Sequence, residues 1–133
     1  MTTIDSIDGI ANSVLTEWAD GIRDHEPDRV ASRFTEDAVF QGFDSVHTVG
    51  RAGVSAYYAK QPVGLTARFE IVERRQPSDG VVVAYALVDF TRPDGAVIPV
   101  HLTVVLESAA EGWLISHYHV SKIERPAPTG TPE

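Results

Sequence analysis

The sequence predicts an α+β fold, three helices followed by four long strands that form a sheet. Two observations carry that reading. Up to about residue 60 the apolar residues recur at intervals of three and four, and from Thr66 onward they recur at intervals of two. The 133 residues suffice for one domain, expected over residues 1–124, that buries roughly two-thirds of its unfolded surface.

Ile4, Ile7, Ile10, Ala11, Val14, Leu15, Trp18 and Ile22 form one stripe of a helix of about five turns. Thr3, Asp5 and Asp8 suit its start, where side-chain oxygens and carboxylates satisfy free amides. A short second helix begins near Pro27, whose missing N–H costs nothing there, and turns Val30, Ala31 and Phe34 inward. Glu36 and Asp37 are expected to cap the link to a brief strand, residues 38–41. Residues 43–49 read as a loop containing Asp44 and His47. Gly50 and Arg51 open a third helix with Val54, Tyr57 and Tyr58 on its apolar side, ending before Pro62.

Strands are expected over residues 68–75, 81–91, 97–107 and 112–121. Pro93, Asp94 and Gly95 are the residues that a type I turn with a glycine bulge requires. The second of these strands is apolar on both faces, with Ala84, Ala86, Val88 and Phe90 on one and Val81, Val83, Tyr85 and Leu87 on the other. One sheet face should therefore cover the helices, and the other should meet a second copy of the chain, a homodimer. Residues 125–133, rich in proline, are expected to be a disordered tail.

A formal charge of −8 argues against nucleic acid and anionic membranes as partners. No apolar run approaches the ~20 residues of a membrane span, and the first residues lack a secretory leader pattern. The absence of cysteine excludes disulfides and thiolate chemistry and suits a reducing compartment, so a soluble cytoplasmic domain is expected. There is no phosphate-cradling glycine loop, dinucleotide fingerprint or serine elbow, and no cofactor is expected.

Three segments in order resemble the nuclear transport factor 2-like superfamily, also called SnoaL-like. They are residues 34–40 (FTEDAVF), residues 49–58 (VGRAGVSAYY) and residues 112–121 (GWLISHYHVS). The last looks closest to the SgcJ/EcaC branch and to the association domain of calcium/calmodulin-dependent kinase II. The resemblance implies a cone-shaped fold, three N-terminal helices packed on a curved, mostly antiparallel sheet with a pocket at its open end. It also implies dimerisation through the outer sheet face. In the isomerases of the superfamily, the general-base carboxylate would correspond to Gly42, the phenolic oxyanion donor to Trp18, and the protonated acid to a position near Val104. The supporting aromatic corresponds to Tyr58.

Alternation along the last strand puts Trp113, Ile115, His117, His119 and Ser121 on one face and Leu114, Ser116, Tyr118 and Val120 on the other. His117 and His119, with His101, admit three readings. They are a three-imidazole metal site, an acid–base group in the pocket, or, with Ser121, hydrogen-bonded groups at the dimer interface. The resemblance places them on the outer, subunit-facing side, and no metal site is expected. Asp89, inside an apolar strand, is either a pocket acid–base group or a sheet-end partner of Arg92 or solvent, and the bulged turn leaves its facing open. Asp44 is the second candidate base, on a loop at the expected pocket mouth. Arg51 is read as a structural ion pair.

Trp18, Phe40, Tyr57, Tyr58, Leu87, Leu102, Val104, Ser116 and Tyr118 are the expected ligand-binding wall. The leading expectation is a homodimeric pocket protein for a small apolar, polyketide-like molecule. As an enzyme it would perform cofactor-free cyclisation, isomerisation or dehydration, with Asp89 or Asp44 moving the proton and Trp18, Tyr58 or Tyr118 polarising a carbonyl. The competing expectation is a non-catalytic ligand-binding or assembly domain.

Overall fold

The computed structural model describes residues 7–43 and 46–123. The expected tail, residues 125–133, lies outside them, as do Asp44, Thr3 and Asp5. Helix α1 (Ile7–Arg23) buries the predicted stripe of Ile10, Ala11, Val14, Leu15, Trp18 and Ile22. Helix α2 (Pro27–Ala31) carries its proline in the first turn and buries Val30 and Ala31. Helix α3 (Arg51–Ala59) buries Val54 and Tyr58. Among the described residues no helix is long and apolar enough to cross a membrane.

Phe34 does not continue α2 but opens strand β1 (Phe34–Gln41). The cause is a partner distant in sequence: the Ile115 N–H donates to the Arg33 carbonyl at 2.8 Å, and Phe34 lies in register with Ile115. Glu36 and Asp37 consequently stand exposed on β1 instead of capping a link. A two-residue strand, β2 (Thr48–Val49), pairs with β1 where only loop was expected.

The long strands are β3 (Thr66–Ser78), β4 (Val81–Thr91), β5 (Val97–Ala109) and β6 (Gly112–Lys122). They form one six-stranded curved sheet in the order β2-β1-β6-β5-β4-β3. Its pairings are antiparallel except for β1 beside β6, which is parallel. The β4–β5 turn has the predicted chemistry. Gly95 has φ of +93°, Arg92 N–H donates to the Ala96 carbonyl at 2.8 Å, and Ala96 N–H donates to Asp94 Oδ1 at 2.9 Å.

Strict alternation fails at one place in β6. Leu106 pairs with Ile115 but Val105 pairs with His117, so Ser116 is an extra residue, a β-bulge. Ile115 before the bulge and Tyr118 after it therefore both join the core, while Leu114, His117, His119 and Ser121 fall on the opposite face. The inner, concave face presents Val82, Ala84, Ala86, Val88 and Phe90 from β4 and Val100, Leu102, Val104 and Leu106 from β5 to the helices.

Candidate functional site

Aromatic rings gather where α1, α3, β1 and β6 converge. Phe40 stacks on Tyr118, with centroids 4.5 Å apart and planes at 18°. Phe34 and Trp18 lean on Tyr118 at centroid distances of 5.9 Å. Such offset and edge contacts suit ring quadrupoles and hold each ring in one orientation. Within this cluster runs a chain of polar groups. The Trp18 indole N–H donates to the Tyr58 hydroxyl at 3.1 Å, and the Tyr58 hydroxyl lies 3.2 Å from that of Tyr118.

The indole can only donate, so it occupies one lone pair of Tyr58. The proton between the two phenols can sit either way. With Tyr58 donating to Tyr118, the Tyr118 hydrogen is released to point elsewhere. Burial pushes both phenols above the ordinary tyrosine range, and they stay protonated, hydrogen-bond donors, at neutral pH.

Tyr118 and Tyr58 form the floor of a cleft with about 40 Å³ of room. Phe43, Tyr57, Phe90 and Ile98 supply apolar wall, and Gln61 and Arg92 add polar groups. That volume holds about three waters, so a guest with a ring must move a wall or sit partly outside. Gln61 forms one wall. It is half-buried, donates to the Tyr57 carbonyl at 3.2 Å, and with Tyr58 and Leu65 separates the cleft from a smaller cavity beside Gly21 and His25.

The sequence-predicted residues divide sharply. Tyr57, Tyr58 and Tyr118 line the cleft. Phe40 and Trp18 lie one layer behind, and Leu102 and Val104 are buried in the core away from it. Leu87, expected in the ligand-binding wall, and Asp89, whose facing the sequence leaves open, do not line this cleft. Val88 and Phe90 point inward, so by alternation Leu87 and Asp89 point to the outer face, where both are exposed. Asp89 stands in register with Arg68 and Pro99.

Ser116 is turned by its bulge onto the sheet itself, its hydroxyl donating to the Val105 carbonyl at 3.2 Å and lying 3.1 Å from His117 Nδ1. His47 is exposed near β2. Asp44 belongs to the residues that are not described. Arg51 donates to the Phe34 carbonyl at 2.8 Å and faces Glu111 at 3.8 Å, a structural arrangement.

His117, His119 and Ser121 are exposed on the outer face, and His101 is half-buried there. His101 stacks on Tyr85 with centroids 5.5 Å apart and accepts or donates a 3.0 Å hydrogen bond with its hydroxyl. No group of three or more metal-ligating side chains is clustered among the described residues.

Gly42 makes room for the ring of Tyr57. A Cβ there would lie 2.5 Å from Tyr57 Cζ and 2.6 Å from its Oη, so the tyrosine ring fills the space a carboxylate would need. The Tyr57 oxygen instead accepts the Phe43 N–H at 3.2 Å. Phe43, Gln61, Leu65, Phe90, Arg92, Ile98 and Val120 line the cleft but were missing from the expected wall. For Phe90, Arg92 and Val120 a signal existed. Each continues the inward phase of its strand, two residues beyond Val88, Phe90 and Tyr118 respectively.

A family model for the SnoaL-like domain matches residues 11–125. Among solved structures, a cystatin-like domain of unknown function from Nostoc punctiforme superposes with TM-score 0.79 at 18% identity, covering 94% of this chain and 81% of that one. A ketosteroid isomerase-like protein from Erwinia carotovora atroseptica gives 0.71 at 19%, covering 91% and 99%. A Catenulispora acidiphila protein solved in complex with S-DNPA gives 0.68 at 21%, covering 87% and 92%. At these identities the structures establish the shared fold. No curated protein matches the chain.

Proposed function

Because this chain belongs to the SnoaL-like domain family, we propose that it binds a small, largely apolar molecule in the cleft and polarises an oxygen of that molecule through Tyr118. One observation carries the reading: the buried donor chain from Trp18 through Tyr58 to Tyr118 ends at the cleft floor. An acceptor placed there selects the arrangement in which each group donates to the next, and each donation strengthens the following one. A carbonyl oxygen, or the oxyanion that forms from it, is the group such a chain stabilises best.

The chemistry that follows is cofactor-free enolisation, the common step of isomerisation, dehydration and cyclisation of carbonyl compounds, with polyketide-like molecules as the substrate class. The described part of the cleft contributes the electrophilic half. A proton acceptor would come from Asp44, on the same chain segment as the cleft residue Phe43. We place the protein near the SgcJ/EcaC branch on residues 112–121, and as a cytoplasmic homodimer joined through its outer sheet face. Tyr85, Leu87 and Val97, exposed at 38%, 37% and 53%, support that interface.

The test is a ligand screen with planar ketones and their deoxygenated counterparts, repeated on Tyr118→Phe. Loss of the hydroxyl should weaken ketone binding about five- to tenfold and leave the hydrocarbon unaffected. Equal affinity of ketones for both proteins would remove Tyr118 from the role. Ligand binding without turnover of any carbonyl compound would favour the non-catalytic reading.

A further inference from the structure

Two inner-face stripes end in a cation at the same end of the sheet. On β4 the inward series Val82, Ala84, Ala86, Val88 and Phe90 continues, in phase, to Arg92. On β6 the series Tyr118 and Val120 continues to Lys122. Each cation is tied to the cleft by a different contact. Arg92 lines it, and Lys122 Nζ lies 5.6 Å from the centroid of Phe43, itself a cleft residue.

Apolar stripes need no charge to finish them, and in a chain of net charge −8 two cations at the same end of the sheet run against the background. The described cleft wall contains no carboxylate to neutralise them, and no ion pair to Arg92 forms among the described residues. Asp44 lies outside the described residues. Arg92 is also held in place. Its N–H bonds the Ala96 carbonyl and its carbonyl accepts the Gly95 N–H, both at 2.8 Å, so the β4–β5 turn fixes the base of the side chain.

The geometry points to a flat apolar carboxylic acid as the ligand class of this cleft. The carboxylate would be gripped at the rim by the Arg92 fork, with Lys122 as second cation, and the ring would point inward past Phe43 and Phe90 toward Tyr118. The inference rests on the proposed pocket function and adds to it the anionic end of the ligand. It makes Arg92 a specificity residue, separate from the donor chain on the floor.

Benzoate and benzamide separate the two ideas, because they share size and planarity and differ in charge. Both are titrated into the full chain, with affinity and location read from amide and side-chain NMR shifts, at low and physiological salt. Benzoate should bind about tenfold more tightly than benzamide, with the advantage shrinking in salt. Arg92→Gln combined with Lys122→Gln, both exposed in the fold, should bring the ratio close to one, the larger loss falling on benzoate. Equal binding of the two probes to the unmodified protein would overturn the anionic class and leave the pocket standing. Shifts confined to the outer face near Arg68 would overturn it as well. No binding of either probe would overturn both readings together.

Discussion

The two faces of the sheet are built from alternate residues of the same strands, yet they hold tyrosine in opposite ways. Inside, Tyr58 and Tyr118 share a hydrogen bond in a buried aromatic cluster backed by Trp18. Outside, Tyr85 hydrogen-bonds and stacks on His101 in contact with solvent. The inner pair is held in place by the rings packed around it, so both hydroxyls already stand at the cleft floor before a ligand arrives. The outer pair lies on a face whose residues Tyr85, Leu87 and Val97 remain uncovered. Preorganisation belongs to the concave side and unsatisfied apolar area to the convex side. That division is why the chemistry is assigned to one and association to the other.

The largest expected effect comes from removing the support of the inner pair. Trp18 is fully buried and touches both Tyr118 and Phe90. Trp18→Ala should cost about 3–5 kcal/mol in urea denaturation, through lost burial and a cavity. Trp18→Phe keeps most of the ring volume and removes the N–H. Equal costs for the two variants would show that the indole donor, and not the packing, supports the inner pair.

On the convex side, Leu87→Arg places a charge in the middle of the proposed subunit contact. Sedimentation equilibrium should show a dimer for the unmodified chain, and for the variant an association weakened on the order of a hundredfold or more, toward monomer. An unmodified chain that sediments as a monomer at all concentrations would leave the outer face without its assigned partner.

The alkaline limb sharpens the contrast. Tyr58 and Tyr118 are harder to ionise in the folded chain than in the unfolded one, because burial disfavours the phenolate. Their contribution is fully present below about pH 10, the unfolded tyrosine value, and is lost as pH rises from there toward the folded values. The folded state binds more protons in that window, so stability must fall with pH. The phenolate absorbance of these two residues should appear only with unfolding, and Tyr118→Phe should flatten the loss. An absorbance rise for both before unfolding would show that water reaches the cluster.

Much of this was legible in the residues. The three- and four-residue spacing from Ile10 to Ile22 located the buried face of α1, and Pro93, Asp94 and Gly95 located the turn that anchors Arg92. What was not legible depended on partners far along the chain. Phe34 is compatible with a helix until the Ile115 N–H reaches the Arg33 carbonyl. Asp89 could have faced either way, because β4 is apolar on both sides and only the helices packed on Val88 and Phe90 choose the inner one. The cleft wall was half visible. Its tyrosines were identified by their hydroxyls, whereas Phe90, Arg92 and Val120 required the strand phase to be carried to its end.

The bulge at Ser116 decides which aromatic of β6 faces inward. A strand alternating without it would put Ile115 and His117 on one face, and Tyr118 would point away from Tyr58. With one extra residue, Ile115 and Tyr118 both face the core. The Ser116 hydroxyl donates to the Val105 carbonyl at 3.2 Å, the residue of β5 next to the register shift. Ser116→Ala removes that bond from a side chain that is nearly buried, and should cost about 1 kcal/mol. The register itself is held by larger forces. Tyr118 and Ile115 are each buried among core side chains, and slipping the strand would expose both and bury His117. Ser116→Ala should therefore keep Tyr118 on the cleft floor, visible as an unchanged alkaline titration and an unchanged Tyr58–Tyr118 contact by NMR. A variant in which Tyr118 titrates like an exposed tyrosine would show instead that the hydroxyl, and not the packing on either side of it, sets the phase of β6.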